Sequence, residues 1–231
     1  MKKKNIAIIL SGGVGSRMGN IGIAKQYFKV NEKTIISYCL EKFQSHPLID
    51  EIIIVAAEDQ HEFLYSYNHA KVKAIVVNGK TRQHSIFNGL KAAINISENK
   101  DDIVIIHDAV RPLVSDKIIE SCISSIGEYD GVMPSIEVKD TIYQSQNGVT
   151  IAKLLKRSEL YAGQSPESFI LSKYYEIHQR VTDEELSNIT GSTVIAIQQG
   201  LQVKIIAGDE RNFKITTPKD LELFQKIISN D

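Results

Sequence analysis

The chain has 231 residues, enough for one α/β domain with a full core, and its 27 basic and 28 acidic side chains leave a net charge of −1. Charge so evenly scattered gives no electrostatic reason to bind nucleic acid or a membrane surface, so neither is expected as a partner. No apolar run approaches the length of a membrane span, and Cys39 and Cys122 stand alone, so a cytoplasmic protein with two reduced core thiols is expected.

The first apolar run, residues 6–10, empties into Ser11-Gly12-Gly13-Val14-Gly15-Ser16-Arg17, with Lys25 a few residues on. A buried strand ending in a glycine turn presents bare backbone N–H groups at the C-terminal edge of a parallel sheet, where open α/β sheets bind ligands. Gly12, Gly13 and Gly15 allow a polyphosphate close to the main chain, and Arg17 and Lys25 add two cations. The run is neither a P-loop, since no Gly-Lys-Ser/Thr follows, nor a dinucleotide fingerprint, since Met18 stands where the third glycine belongs. A nucleoside triphosphate site is expected. A purely structural glycine turn is the competing reading.

Residues 34–43 place Ile36, Leu40 and Phe43 on one helical face, and further strands are expected at 52–57, 74–77 and 103–107. After the third strand comes Asn78-Gly79-Lys80-Thr81-Arg82-Gln83-His84-Ser85. Its glycine and amides can read a base edge, Arg82 can meet phosphate or carboxylate, and Ser85 can donate and accept near a helix start. A helix over 83–96 comes next, with Ile86, Leu90 and Ile94 buried. The alternation predicts an α/β fold with a mainly parallel sheet in three layers.

The most apolar strand ends in His107-Asp108-Ala109-Val110-Arg111-Pro112. Asp108 can meet a divalent ion or a sugar hydroxyl, or it can merely cap a helix. Arg111 can grip a phosphate bidentately, and His107 reads as a core histidine more readily than as a ligand. Residues 138–165 are strand-like and polar around Gln146-Asn147-Gly148, a hairpin signal. They are expected to form an arm projecting from a single domain, 1–231, and to pair two copies. The alternative is a hairpin folded back on its own sheet. Thr141, Arg157 and Ser165 lie on this arm. Finally, Lys214 precedes a helix opened by Thr217, Pro218 and Asp220, where the helix dipole repels a cation and a bound anion would relieve it.

These clusters, in this order and across nearly the whole chain, resemble the family of CTP-dependent polyol-phosphate cytidylyltransferases, whose acceptors include 2-C-methyl-D-erythritol 4-phosphate and ribitol 5-phosphate. The resemblance implies a Rossmann-like nucleotidyltransferase fold, a homodimer joined by the arm, and Mg²⁺ held mainly by the phosphates of CTP. It implies that Arg17, Lys25, Arg157 and Lys214 act in catalysis. Ser11, Gly12, Gly13, Gly15, Gly79, Arg82, Ser85 and Asp108 would bind the nucleotide, and Arg111, Thr141, Arg157 and Ser165 the polyol phosphate. Ala24 departs from the usual proline, which predicts a less rigid loop. Thr190-Gly191-Ser192-Thr193 lacks an acidic pair that methylerythritol enzymes carry nearby, unless Thr182-Asp183-Glu184 takes that role. A sugar-1-phosphate nucleotidyltransferase using another triphosphate, and a non-catalytic nucleotide-binding relative, remain open.

Overall fold

A computed structural model describes residues 2–13, 23–67 and 69–230. Gly15 and Arg17 therefore lie outside the described residues. In chain order the elements are β1 (Asn5–Leu10), β2 (Lys29–Val30), β3 (Lys33–Thr34), α1 (Ile35–Ser45), β4 (Glu51–Ala56), α2 (His61–Tyr65), β5 (Val72–Val77), α3 (Arg82–Ile96), β6 (Ile103–Asp108) and α4 (Asp116–Ser124). They continue with β7 (Gly131–Glu137), β8 (Tyr143–Gln144), β9 (Lys153–Leu154), β10 (Tyr161–Gly163), β11 (Glu167–Ile170), α5 (Leu171–Arg180), α6 (Asp183–Asn188), α7 (Ser192–Gln198), β12 (Val203–Ala207) and α8 (Pro218–Asn230).

Strands β5, β4, β1 and β6 lie side by side and parallel. Beyond β6, β11 enters antiparallel and pairs on its other edge with β7, which also carries β10 and, in parallel, β12. The continuous apolar runs of β1, β4 and β6 follow from burial on both faces. Alternate side chains of one set, such as Ala7, Ile9, Ile54 and Ile105, pack with Ile36, Leu40 and Phe43 of α1 and with Ile119 of α4. The opposite set, including Ile6, Ile8, Val55 and Ile106, packs with Ile86 and Leu90 of α3 and Tyr174 of α5. The three-layer mixed sheet is the expected α/β architecture, and Cys39 and Cys122 are buried in α1 and α4. No described helix is long and apolar enough to cross a membrane.

The last helix begins as its residues dictate. Thr217 Oγ1 accepts from the Asp220 amide at 3.3 Å, and Asp220 Oδ2 accepts from the Thr216 and Thr217 amides at 2.8 and 2.7 Å. The segment 138–165 divides between the two readings of it. Among the described residues, β8 and β9 pair only with each other, around a turn in which Asn147 Oδ1 accepts from the Val149 and Thr150 amides. Tyr143, Val149, Ile151 and Leu154 stand exposed there. β10, however, folds back onto β7, and Gln164 and Ser165 are buried in the body of the domain. The projecting arm is therefore shorter than 138–165, and Ser165 does not belong to it.

His107 on β6 and His178 on α5 are fully buried. Burial lowers each pKa to about 4, against hydrogen bonds to the carbonyls of Arg111 and Tyr174 that favour the proton. Both must be neutral in the folded chain, whereas in the unfolded chain they titrate near 6.5. Between those values the unfolded chain binds more protons, so stability is complete above about pH 6.5 and falls toward pH 4. The loss is on the order of 3 kcal/mol per histidine at the acid end. Glu167, whose carboxyl is pushed upward by burial, acts in the opposite sense. Urea midpoints should drop steeply between pH 6.5 and 4.5 in the wild type and less in His178→Gln; a flat profile would contradict this assignment.

Candidate active site

The C-terminal ends of β1, β5 and β6 open onto one cavity of about 520 Å³, lined among others by Gly12, Gly13, Lys25, Gly79, Arg82, Ser85, Asp108 and Lys214. Parallel strands place their following loops together at this edge, which is why clusters far apart in sequence meet here.

The glycine turn after β1 is braced by Gln26, whose Nε2 donates to the carbonyls of Ser11 at 2.6 Å and Gly13 at 3.0 Å. Ser11 Oγ reaches the Tyr27 hydroxyl at 3.0 Å. The two glycines differ. A Cβ on Gly12 would sit 2.4 Å from Asn78 Cβ, so this glycine serves loop-to-loop packing, whereas a Cβ on Gly13 would meet nothing within 4 Å among the described residues. Lys25 is largely buried in the short 3₁₀ turn Lys25–Tyr27, and its charge helps lower the Asp220 pKa. Ala24 holds φ at −65°, the angle a proline would impose, so the substitution leaves the course of the chain unchanged.

The loop after β5 closes on itself. Ser85 Oγ accepts from the Gly79 amide at 3.0 Å and donates to the Thr81 carbonyl at 2.9 Å, so in this structure its hydroxyl shapes the loop. Thr81 caps α3, and Asp183 fastens residues on either side of this cap, with Oδ1 2.7 Å from His84 Nε2 and Oδ2 paired with Lys80. Asp183 thus reaches the loop after β5, although not Arg82.

Asp108 is the electrostatic centre. Its Oδ1 accepts from Arg82 Nε and Nη2, each at 3.3 Å; Oδ2 accepts from Lys214 Nζ at 2.9 Å and lies 3.8 Å from Arg111 Nε. Burial opposes ionisation of this carboxyl, but Arg82, Lys214 and Arg111 together outweigh it and hold its pKa far below the usual carboxylate range. Burial is also the main influence on Arg82, yet Asp108 and Glu167 keep its guanidinium firmly charged. Lys214 finds its anion within the protein, in Asp108, so the helix dipole expected to repel it is answered without a ligand.

Ser165 lies beneath this centre, its Oγ accepting from the Asp108 amide at 3.1 Å and contacting His107 Nδ1 at 3.2 Å. Gln164 and Ser165 also hold the 208–215 loop. Gln164 Nε2 donates to the Asp209 carbonyl at 2.8 Å, and Asn212 Nδ2 to that of Ser165 at 2.8 Å. Arg111 Nη1 in turn donates to the Asn212 carbonyl at 2.7 Å. Thr141 and Arg157 are not brought to this cavity. Both are exposed, and Arg157 Nη1 donates to the Lys139 carbonyl at 3.1 Å beside a separate groove.

Sequence reasoning assigned no role to Gln26, Glu167, Ser192 or Asn212. Each is buried and polar, but no local pattern signals a contact made across so many residues. Among the described residues, no group of three or more His, Cys, Asp or Glu is arranged to hold a metal ion.

The family model for 2-C-methyl-D-erythritol 4-phosphate cytidylyltransferase, IspD, matches residues 5–230. The chain belongs to the IspD family. IspD relatives carry more than one acceptor in their names. Over 233 residues the chain is 39% identical to the 2-C-methyl-D-erythritol 4-phosphate cytidylyltransferase of Clostridium acetobutylicum, covering 98% of each. It is 32% identical over 227 residues to the ribitol-5-phosphate cytidylyltransferase of Streptococcus agalactiae, covering 96% of this chain and 95% of that one. The IspD crystal structure from Francisella tularensis superposes with a TM-score of 0.78 at 30% identity, over 96% of this chain and all of the other (100%). The family and its named relatives are cytidylyltransferases, and this chain is an enzyme of that kind.

Proposed function

We propose that this enzyme transfers CMP from CTP to the phosphate of a polyol phosphate, releasing pyrophosphate and a CDP-polyol, in the cavity around Asp108. The observation that carries this reading is the convergence of Lys25, Arg82 and Lys214 with two glycine-bearing loops on a single cavity at the sheet's C-terminal edge. A phosphate monoester is already anionic near neutral pH, so it can attack the α-phosphorus without a dedicated general base. The obstacle is repulsion between that anion and the triphosphate, and a set of fixed cations answers it. Lys25 and Lys214, with Arg17 from outside the described residues, fill that role in this reading.

Magnesium fits the same reading. Mg²⁺ would be held mainly by the phosphates themselves, because Asp108, the carboxylate among the described residues that line this cavity, is already engaged by Arg82, Lys214 and Arg111. When bound it would neutralise charge on the phosphate oxygens. The exposed apolar side chains of the arm, Tyr143, Val149, Ile151 and Leu154, favour pairing with a second copy, which would carry Thr141 and Arg157 toward a neighbouring site.

The loop after β5 serves to read the base, and it has no spare room. A Cβ on Gly79 would lie 2.2 Å from His84 Cβ and 2.7 Å from the His84 carbonyl carbon. Gly79→Ala must shift the loop, at a cost of about 1–3 kcal/mol, and should raise the KM for CTP about tenfold or more. An unchanged KM would remove this loop from the site. Pyrophosphate release with CTP and Mg²⁺, comparing methylerythritol 4-phosphate with ribitol 5-phosphate, tests the function and assigns the acceptor. Release with neither, while CTP is bound, would overturn both named acceptors.

A further inference from the structure

Glu167 is the first residue of β11, which lies antiparallel to β6 with Glu167 opposite Ile106. Alternation along the strand puts it on the same face as Phe169, which packs into the core beneath α3 and α5. The carboxylate therefore arrives under the first turn of α3, where Arg82 stands. A carboxylate this buried costs several kcal/mol unless it is paired. Its Oε2 accepts from Arg82 Nη2 at 3.4 Å, and the nearby Ser192 hydroxyl favours its ionised form against the upward push of burial. Ser192 Oγ is in turn 2.6 Å from Arg82 Nη1.

Arginine has five N–H donors. Two of those of Arg82 go to Asp108, one to Glu167 and one to Ser192, leaving one on Nη1 that no described residue takes. Asp108 holds one edge of the guanidinium through Oδ1, while its Oδ2 serves Lys214 and lies near Arg111. Asp183 does not help, since it faces Lys80 and His84.

We propose that Glu167, with Ser192 as its bridge, is a positioning residue for the nucleotide: it holds the Arg82 guanidinium at the cavity wall so that the remaining N–H is presented to CTP. The inference rests on the reading of this cavity as the CTP site.

The test is a double-mutant cycle read by calorimetric titration with CTP. Wild-type binding comes first; failure of the wild type to bind CTP overturns the site reading and this inference with it. Given that binding, Glu167→Gln, which keeps the shape but not the charge, should weaken CTP about tenfold. Its kcat at saturating CTP should stay close to wild type, while its melting temperature should fall modestly because a buried pair is broken. In the Arg82→Ala background the same change should alter affinity less than about twofold, because Glu167 acts through Arg82. Losses that multiply, or an unaltered Glu167→Gln, would overturn the proposal. Should the Arg82 variants fail to fold, Ser192→Asp decides. Added to Glu167→Gln it returns a carboxylate to the other side of the guanidinium, and affinity should recover to within about threefold of wild type. No recovery would contradict the positioning role.

Discussion

Replacing Lys25 with alanine is expected to lower turnover by on the order of several hundred-fold at saturating CTP and acceptor, while CTP affinity falls far less. Lys25 is largely buried on a turn whose next residue, Gln26, is bonded to the carbonyls of Ser11 and Gly13. The turn that carries it is thereby braced before any ligand arrives. A pre-placed cation needs no reorganisation as negative charge shifts onto the five-coordinate phosphorus, so its benefit appears mainly in the transition state. Removing one comparable donor costs roughly 3–4 kcal/mol in the barrier. Steady-state kinetics with both substrates saturating reads this directly, and a turnover near wild type would remove Lys25 from the chemistry.

The second large effect belongs to Asp108. In Asp108→Asn the side chain keeps its shape, but Arg82, Arg111 and Lys214 lose the anion they share. Breaking a buried pair by removing one partner typically costs 3–5 kcal/mol. Lys214 is partly exposed and recovers some solvation, so the expected loss is near the lower end, about 3 kcal/mol. Urea denaturation measures it. The sign with pH is distinctive. The folded-state pKa of Asp108 is depressed, so its contribution is present at all pH values above the ordinary carboxylate range and is lost only in strong acid. The gap between wild type and variant should therefore be the same at pH 5.5 and pH 8. A gap that closed at pH 5.5, or one below 1 kcal/mol, would contradict the central position given to this carboxylate.

How far the chain can be read without coordinates depends on whether the signal is local. The runs in β1, β4 and β6 are uninterrupted because both faces are buried, and the start of α8 is written in Thr217, Pro218 and Asp220. β7 carries Pro134 and begins at a glycine, and β12 is only partly buried, so neither presents the pattern of a sheet strand; pairing with each other supplies what local sequence does not. The arm was half legible. Asn147-Gly148 marks its turn, yet nothing local distinguishes β8 and β9, which pair only with each other, from β10, which joins the main sheet.

The site divides in the same way. Glycine loops after strands announce a ligand edge, so Gly12, Gly79, Arg82, Asp108 and Lys214 meet as their motifs suggest. Their partners were hidden. Ser165 read as an arm residue because it comes after the hairpin, although its hydroxyl meets the Asp108 amide across 57 residues. Glu167 and Ser192 carry no motif: the antiparallel insertion of β11 beside β6 brings the first to Arg82, and the start of α7 brings the second.

The most direct test tracks the transferred group. CTP labelled on its α-phosphorus is incubated with enzyme, Mg²⁺ and each of the two polyol phosphates, and the products are separated and weighed by mass spectrometry. Label in a CDP-polyol, with unlabelled pyrophosphate released in equal amount, is the predicted result. Label remaining in CTP, or appearing in CDP with release of inorganic phosphate, would contradict CMP transfer as the function of this site.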